Sequence, residues 1–192
     1  MPKLGMEPIR RAALVKATID EIGAVGSLDV TVGKIAKRAG MSSALAHHYF
    51  GGKEQIFLAA MRHTLSLYKA EVLGALGRAS GHRARLEAIV QTSFTSSNFR
   101  PEVIAVWLNF YVLAQTSADA DQLLRIYQRR LHSNLVHDLR PLVGARAVDV
   151  AIRVAGLIDG LYLRQALTGV GSDDAAAHVL ASLKAELKAG AQ

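Results

Sequence analysis

The chain has 192 residues and a mass of 20.6 kDa, enough for one large domain or for a small one joined to a larger one. It has no cysteine, which excludes disulfide staples, thiolate metal sites and a cysteine nucleophile. No stretch of 18 apolar residues is free of charge, and Arg10, Arg11, Lys16, Asp20 and Glu21 stand where a secretory leader needs an apolar core, so the expected setting is the cytoplasm, away from any membrane.

Charge is unevenly spread. The formal net charge is +7, and residues 1–53 hold eight Lys/Arg against four Asp/Glu, while the rest holds fifteen against twelve. A basic surplus concentrated in one small region suits a phosphate-bearing partner.

Apolar residues recur at spacings of three and four throughout, and no segment alternates, so the expected fold is all-α. A first helix from about Pro8 to Gly26 puts Leu14, Ala17, Thr18 and Ile22 on one face. Two short helices follow in 31–50, and then a long connector from Lys53 to about Arg78 with Ile56, Phe57, Ala60, Leu67 and Leu73. A helix from Arg83 to about Thr95 stops in Ser96-Ser97-Asn98, and Pro101 opens another from Glu102 to Gln115. Asp119 or Asp121 can cap the next, whose stripe is Leu123, Ile126, Leu131, Leu135 and Leu139 before Pro141. The last two run from about Arg146 to Leu167 and from Asp173 to Lys188, separated by Thr168-Gly-Val-Gly-Ser. Disorder is expected only in the first few residues and the last three.

The two short helices carry the chemistry. Thr31 precedes the stripe Val32, Ile35, Ala36 and Ala39; Gly40 suits a left-handed turn; and Ser42 can cap a second helix from Ser43 to Phe50. With Ala46 and Phe50 turned inward, Ser43, Ala44, His47 and His48 face out. This is the pattern of a helix-turn-helix, whose second helix enters the DNA major groove. A hydroxyl or methyl at Ser43 and Ala44 can touch base edges, His47, His48 and Tyr49 can donate to phosphates or bases, and Lys53 adds a charge. An ordinary helical hairpin would share the turn but not the basic surplus.

Gly40-Met-Ser-Ser-Ala-Leu-Ala-His-His-Tyr-Phe-Gly-Gly-Lys53, after Thr31-Val-Gly-Lys-Ile-Ala-Lys-Arg-Ala39, resembles the motif of the TetR family of repressors. The resemblance implies a three-helix DNA-binding domain over 1–68 and a larger helical ligand-sensing and dimerisation domain over 69–192, about nine helices in all. It also implies base-edge roles for Gly33, Ser43, Ala44 and His48, and phosphate roles for Thr31, His47, Tyr49 and Lys53, although the family usually has tyrosine where His47 stands. Met1-Pro-Lys-Leu-Gly-Met6, Ile9-Arg-Arg11, Trp107-Leu-Asn-Phe-Tyr111 and Leu157-Ile-Asp-Gly-Leu-Tyr-Leu-Arg164 resemble the choline-responsive members of that family. That implies repression of genes for choline uptake and its oxidation to glycine betaine.

A sensor needs a second site. Trp107, Phe110 and Tyr111 share one helix face, and Asp159 and Tyr162 stand three apart on another, so facing helices can box a quaternary ammonium with ring faces and a carboxylate. Aromatic residues at helical spacing also fill cores, and Asp159 has alternative partners in Arg164, Arg153 or an arginine across a dimer. Phe94, Phe99 and Asn109 can complete a pocket, but spacing does not select them. Val148, Ile152, Ala155, Ile158 and Leu161, with small Gly156 and Gly160, then Val179, Leu180, Leu183 and Leu187, suit a four-helix dimer core, which would hold two reading helices over a palindromic operator.

Enzymatic readings find little support. His47 and His48 point about 100° apart on a helix, His132 and His137 are five apart, and no phosphate loop, nucleophile elbow or zinc-helix signature is present. No catalytic residue, metal or cofactor is expected. The remaining alternatives are a member of the same family answering to a lipophilic drug or acyl thioester, and a non-specific architectural DNA-binding protein.

Overall fold

The helical periodicity of the sequence is realised across the described residues. The computed structural model describes residues 5–168 and 172–189, and these form nine α-helices with two short 3₁₀ turns. The helices are α1 Met6–Val25, α2 Val32–Arg38, α3 Ser43–Phe50, α4 Lys53–Arg78, α5 His82–Ser93, α6 Pro101–Leu113, α7 Ala118–Val143, α8 Ala147–Thr168 and α9 Ser172–Lys188. Residues 169–171 of the expected last linker, the first four residues and the last three lie outside the described residues. No described helix is long and apolar enough to cross a membrane.

The chain divides into two compact units, Met1–Ser66 with Arg100–Leu124, and Leu67–Phe99 with Arg125–Gln192. The division thus differs from a single cut at 68/69, because the first unit also takes α6. Two features bind α6 to α1 within that unit. The Asn109 side chain donates to the carbonyls of Gly26 (3.1 Å) and Ala105 (2.8 Å). At Gly23 the helices come so close that a Cβ would stand 2.7 Å from Glu102 Cα. Leu14, Ala17, Thr18 and Ile22 are all buried, as expected, and Gly26 ends α1 with φ +74°.

Four local expectations change. The N-cap of α7 is Ser117, whose Oγ accepts from Ala120 N (3.3 Å) while its hydroxyl donates to Glu54; Asp119 and Asp121 fall inside the first turn, where their charge suits the helix dipole. The same helix runs through Pro141 to Val143, since a proline this near the end forfeits a single backbone N–H bond, and Gly144 at φ +58° makes the exit. In α4 Ile56, Phe57, Leu58 and Ala60 are buried and the line continues through Met61, Thr64, Val72 and Leu76, with Tyr68 half-buried, which leaves Leu67 and Leu73 exposed beside it. Of the residues expected in a dimer core, Ile158 of α8 and Val179 and Leu183 of α9 are instead buried within the chain, beside Val150, Ala151 and Val154, while Val148 and Ile152 face outward.

The second unit encloses Leu86, Ile89, Val90, Leu135, Leu139, Val154, Val179 and Leu183. Asp138, 1% exposed, is held there by Arg85 Nε at 2.9 and 3.1 Å and by His82 Nδ1 at 2.9 Å, which satisfies a charge that would otherwise be costly to bury.

Replacing Gly23 tests the α1 and α6 contact. Gly23→Ala is expected to destabilise the protein by about 1–3 kcal/mol despite alanine's better helix propensity, because backbone must move to admit the methyl group. Thermal unfolding checks this, and an unchanged or raised Tm would show that α6 yields freely.

Candidate nucleic-acid interface and ligand cage

The reading helix is positioned by two capped turns. Thr31 Oγ1 accepts from Lys34 N and Ser42 Oγ from Leu45 N, both at 3.2 Å, so each short helix starts on a hydroxyl. Gly40 turns the chain at φ +68°, and Met41 N donates to Ala36 O at 2.8 Å. Ile35, Ala36 and Ala46 are fully buried, and the small alanines let α2 and α3 lie close.

Ser43, Ala44, His47 and His48 are exposed on the opposite side of α3. Gly33 joins them: a Cβ there would lie 3.4 Å from Ser43 Oγ and 3.8 Å from Thr31 Oγ1. The cap uses only an oxygen lone pair of Thr31, which leaves its O–H able to donate to another group. His47 differs. Its Nδ1–H donates to Gly51 O at 3.1 Å, so in the neutral ring Nε2 carries no proton, and His47 donates outward only as imidazolium. The tyrosine usual at this place in the family has no such restriction. Lys53 is exposed, its Nζ 5.5 Å from the Phe57 ring centroid. Tyr49 is half-buried, with its hydroxyl 3.4 Å from Arg10 Nη1.

The five expected cage residues belong to different units. In the first unit Trp107 and Phe110 are 6% and 3% exposed; the Trp107 ring meets Phe110 at 6.3 Å edge-on and Tyr111 at 5.9 Å. In the second, Asp159 and Tyr162 stand on α8 among aromatic residues that spacing did not select. Tyr127 O–H donates to Asp159 at 3.4 Å, Tyr68 and Tyr127 meet edge-on at 5.9 Å, and Phe99 lies 4.9 Å from Tyr162 and 6.3 Å from Phe94. Arg153, weighed as a partner of Asp159, instead donates to Glu186 at 2.6 Å.

Burial governs the electrostatics of this cluster. It holds the Asp159 carboxyl above the usual range, against a lowering contribution from the Tyr127 hydrogen bond. It also raises Tyr68 to about 12 and pushes Tyr162 up, so both phenols stay neutral and present ring faces. Tyr162 O–H donates to Asn98 O at 2.8 Å. Tyr68 donates to Ser93 Oγ at 2.9 Å, since the Ser93 hydroxyl is committed to Ile89 O. One turn beyond Tyr162, Gln165 Oε1 is buried without a hydrogen-bond partner among the described residues. The second unit thus holds a partly desolvated carboxylate with several aromatic rings in contact around it, and an unpaired amide oxygen one turn further along α8.

Two family descriptions match separate stretches of the chain, and the second runs through α6, which packs in the first compact unit. Residues 14–60 match the tetR family of bacterial regulatory proteins, and residues 82–188 match the C-terminal part of BetI-type transcriptional repressors. The HTH-type transcriptional regulator BetI of Brucella anthropi is 52% identical over 180 residues, 93% of this chain and 92% of that one. Its namesake in Agrobacterium fabrum is 52% identical over 168 residues, 87% and 82% of the two chains. Among solved structures, a transcriptional regulator of Pseudomonas aeruginosa superposes with a TM-score of 0.84 at 24% identity, covering 97% of this chain and 93% of its own. A regulator of Saccharomonospora viridis in complex with choline superposes with a TM-score of 0.77 at 25% identity, covering 88% and 92%. The chain therefore belongs to the tetR family of bacterial transcriptional regulators, in its BetI-type branch.

Proposed function

We propose that the protein is a cytoplasmic, homodimeric repressor that holds a palindromic operator and is released by choline, so that genes for choline uptake and glycine betaine synthesis are expressed when their substrate is present. The desolvated Asp159 among Tyr127, Tyr162 and Phe99 carries the ligand half of this reading, because a quaternary ammonium has no N–H to donate and is bound by charge and ring faces. Gln165 Oε1 offers an acceptor for the choline hydroxyl. The choline-bound neighbour supports the same choice.

In the DNA half, Gly33, Ser43, Ala44 and His48 meet base edges, and Thr31, His47, Tyr49 and Lys53 meet phosphates. Dimerisation uses the outward face of α8, where Val148, Ile152, Gly156, Gly160, Leu163 and Leu167 form an exposed apolar and small-residue line, presented to its own copy about a two-fold axis. By linkage, a ligand that favours a dimer with the wrong reader spacing lowers operator affinity by the same factor as the operator lowers its own. The lever is α4, which begins with Lys53 in the first unit and ends in the second.

Fluorescence anisotropy on a palindrome from the protein's own upstream region, against random duplex at fixed salt, tests the whole reading. Choline is expected to release the palindrome; a palindrome bound tightly but indifferent to choline would remove the inducer and leave the repressor. Lys53→Ala is expected to weaken every duplex and lower the salt slope by about 0.9 per chain, whereas Ser43→Ala and His48→Ala change sequence preference. Both unchanged would refute the reader assignment.

Two measurements address the ligand. The raised Asp159 carboxyl takes up its proton at a higher pH than an ordinary aspartate, and only the carboxylate attracts a cation. Choline affinity is therefore expected to fall as pH is lowered through that range, and Asp159→Asn to lose about tenfold in affinity along with the pH dependence, as read by calorimetry. We also assign Trp107, Phe110 and Tyr111 to the ligand response. Trp107 is the sole tryptophan, so its emission should change saturably with choline; flat emission where calorimetry records binding would take α6 out of it.

A further inference from the structure

Arg10 and Arg11, on the second turn of α1, lie outside the helix-turn-helix yet meet the C-terminal end of its reading helix. Arg10 Nη1 donates to the Tyr49 hydroxyl at 3.4 Å. The Arg11 guanidinium lies 5.6 Å from the Tyr49 ring centroid and 5.1 Å from that of Phe50, which keeps the end of α3 against α1.

Charge compensation separates the arginines of this region. Residues 1–53 contain three: Arg11 pairs with Glu7 at 2.8 Å, and Arg38 pairs with Glu21. Among the described residues Arg10 has no carboxylate within ion-pair distance, and the phenol is its partner. A phenol oxygen that accepts from a guanidinium has its own O–H turned elsewhere and strengthened as a donor. Guanidinium and phenol then offer donors on neighbouring groups, Nη1 and the hydroxyl 3.4 Å apart, and one uncompensated positive charge, chemistry that suits a single phosphate.

We propose that Arg10 is a DNA-phosphate ligand that acts with Tyr49 on one phosphate, so that α1 as well as the helix-turn-helix grips the duplex. The inference rests on the reading of α3 as the DNA-contacting helix. Arg10 supplies the charge and Tyr49 a neutral donor, which makes their contributions interdependent.

The test is anisotropy over a salt series on operator and random duplex, with Arg10→Ala, Arg10→Lys, Tyr49→Phe and the Arg10→Ala/Tyr49→Phe double variant. Arg10→Ala is expected to weaken both duplexes and reduce the slope of log K against log salt by about 0.9 per chain. Arg10→Lys should restore the slope. Tyr49→Phe should weaken binding several-fold in the wild-type background and by less than twofold when Arg10 is already alanine. A slope unchanged by Arg10→Ala overturns the proposal, and so does an equal Tyr49→Phe effect in both backgrounds. Lack of operator preference in the wild type would instead overturn the sequence-reading role of α3, and the slope on random duplex still decides Arg10.

Discussion

An eight-residue helix has too few internal hydrogen bonds to be stable by itself, so α3 depends on what it lies against. Ala36 and Ala46, both fully buried, allow that approach, and Gly40 allows the turn that makes it possible. The other face of α3 is thereby set without any residue on it having to pack. Ser43, Ala44, His47 and His48 remain open to a partner because burial is carried entirely by the opposite side. Larger side chains at 36 or 46 would move the exposed set as a block and disturb the spacing on which groove recognition relies.

The second unit applies the reverse logic. Its carboxylate lies partly inside, where removing water from Asp159 raises the cost of the charged form. Tyrosines suit such surroundings because each ring offers a π face while its hydroxyl finds a local acceptor, as Tyr68 does at Ser93 and Tyr162 at Asn98. The outcome is a region that holds a half-buried acid on a tyrosine hydroxyl, with no cation at ion-pair distance from it among the described residues. Asp138, in the same unit, has Arg85 and His82 beside it and is structural by comparison.

Much of the fold could be read from residue order. The ends of α1 and α4 and the turn at Gly40 follow from periodicity and punctuation, because these signals are local. What escaped was decided by tertiary context. Ser117 outcompeted two nearby aspartates as a cap, Leu67 and Leu73 fell outside the buried line of α4, and Ile158, Val179 and Leu183 pack within the chain rather than facing a second copy, since a stripe of aliphatic residues does not say which neighbour it meets. In the site, the outward set on α3 was legible from helical spacing. Tyr127, Tyr68 and Phe99 were not, because Tyr127 reaches Asp159 from α7, Tyr68 meets Tyr127 from α4, and Phe99 meets Tyr162 from a 3₁₀ turn far away in the chain.

The close passage of α6 over Gly23 also bears on how the protein is made. The segment that carries the tetR signature is continuous, residues 14–60, but the unit containing it also needs residues 100–124. On a ribosome the reader's helices emerge well before α6, and until α6 follows, the surface of α1 around Gly23 has no cover. The N-terminal unit therefore cannot complete its folding in order of synthesis; it waits on a long-range closure across the whole of the second unit's first segment, a step that slows folding and lengthens its exposure to aggregation.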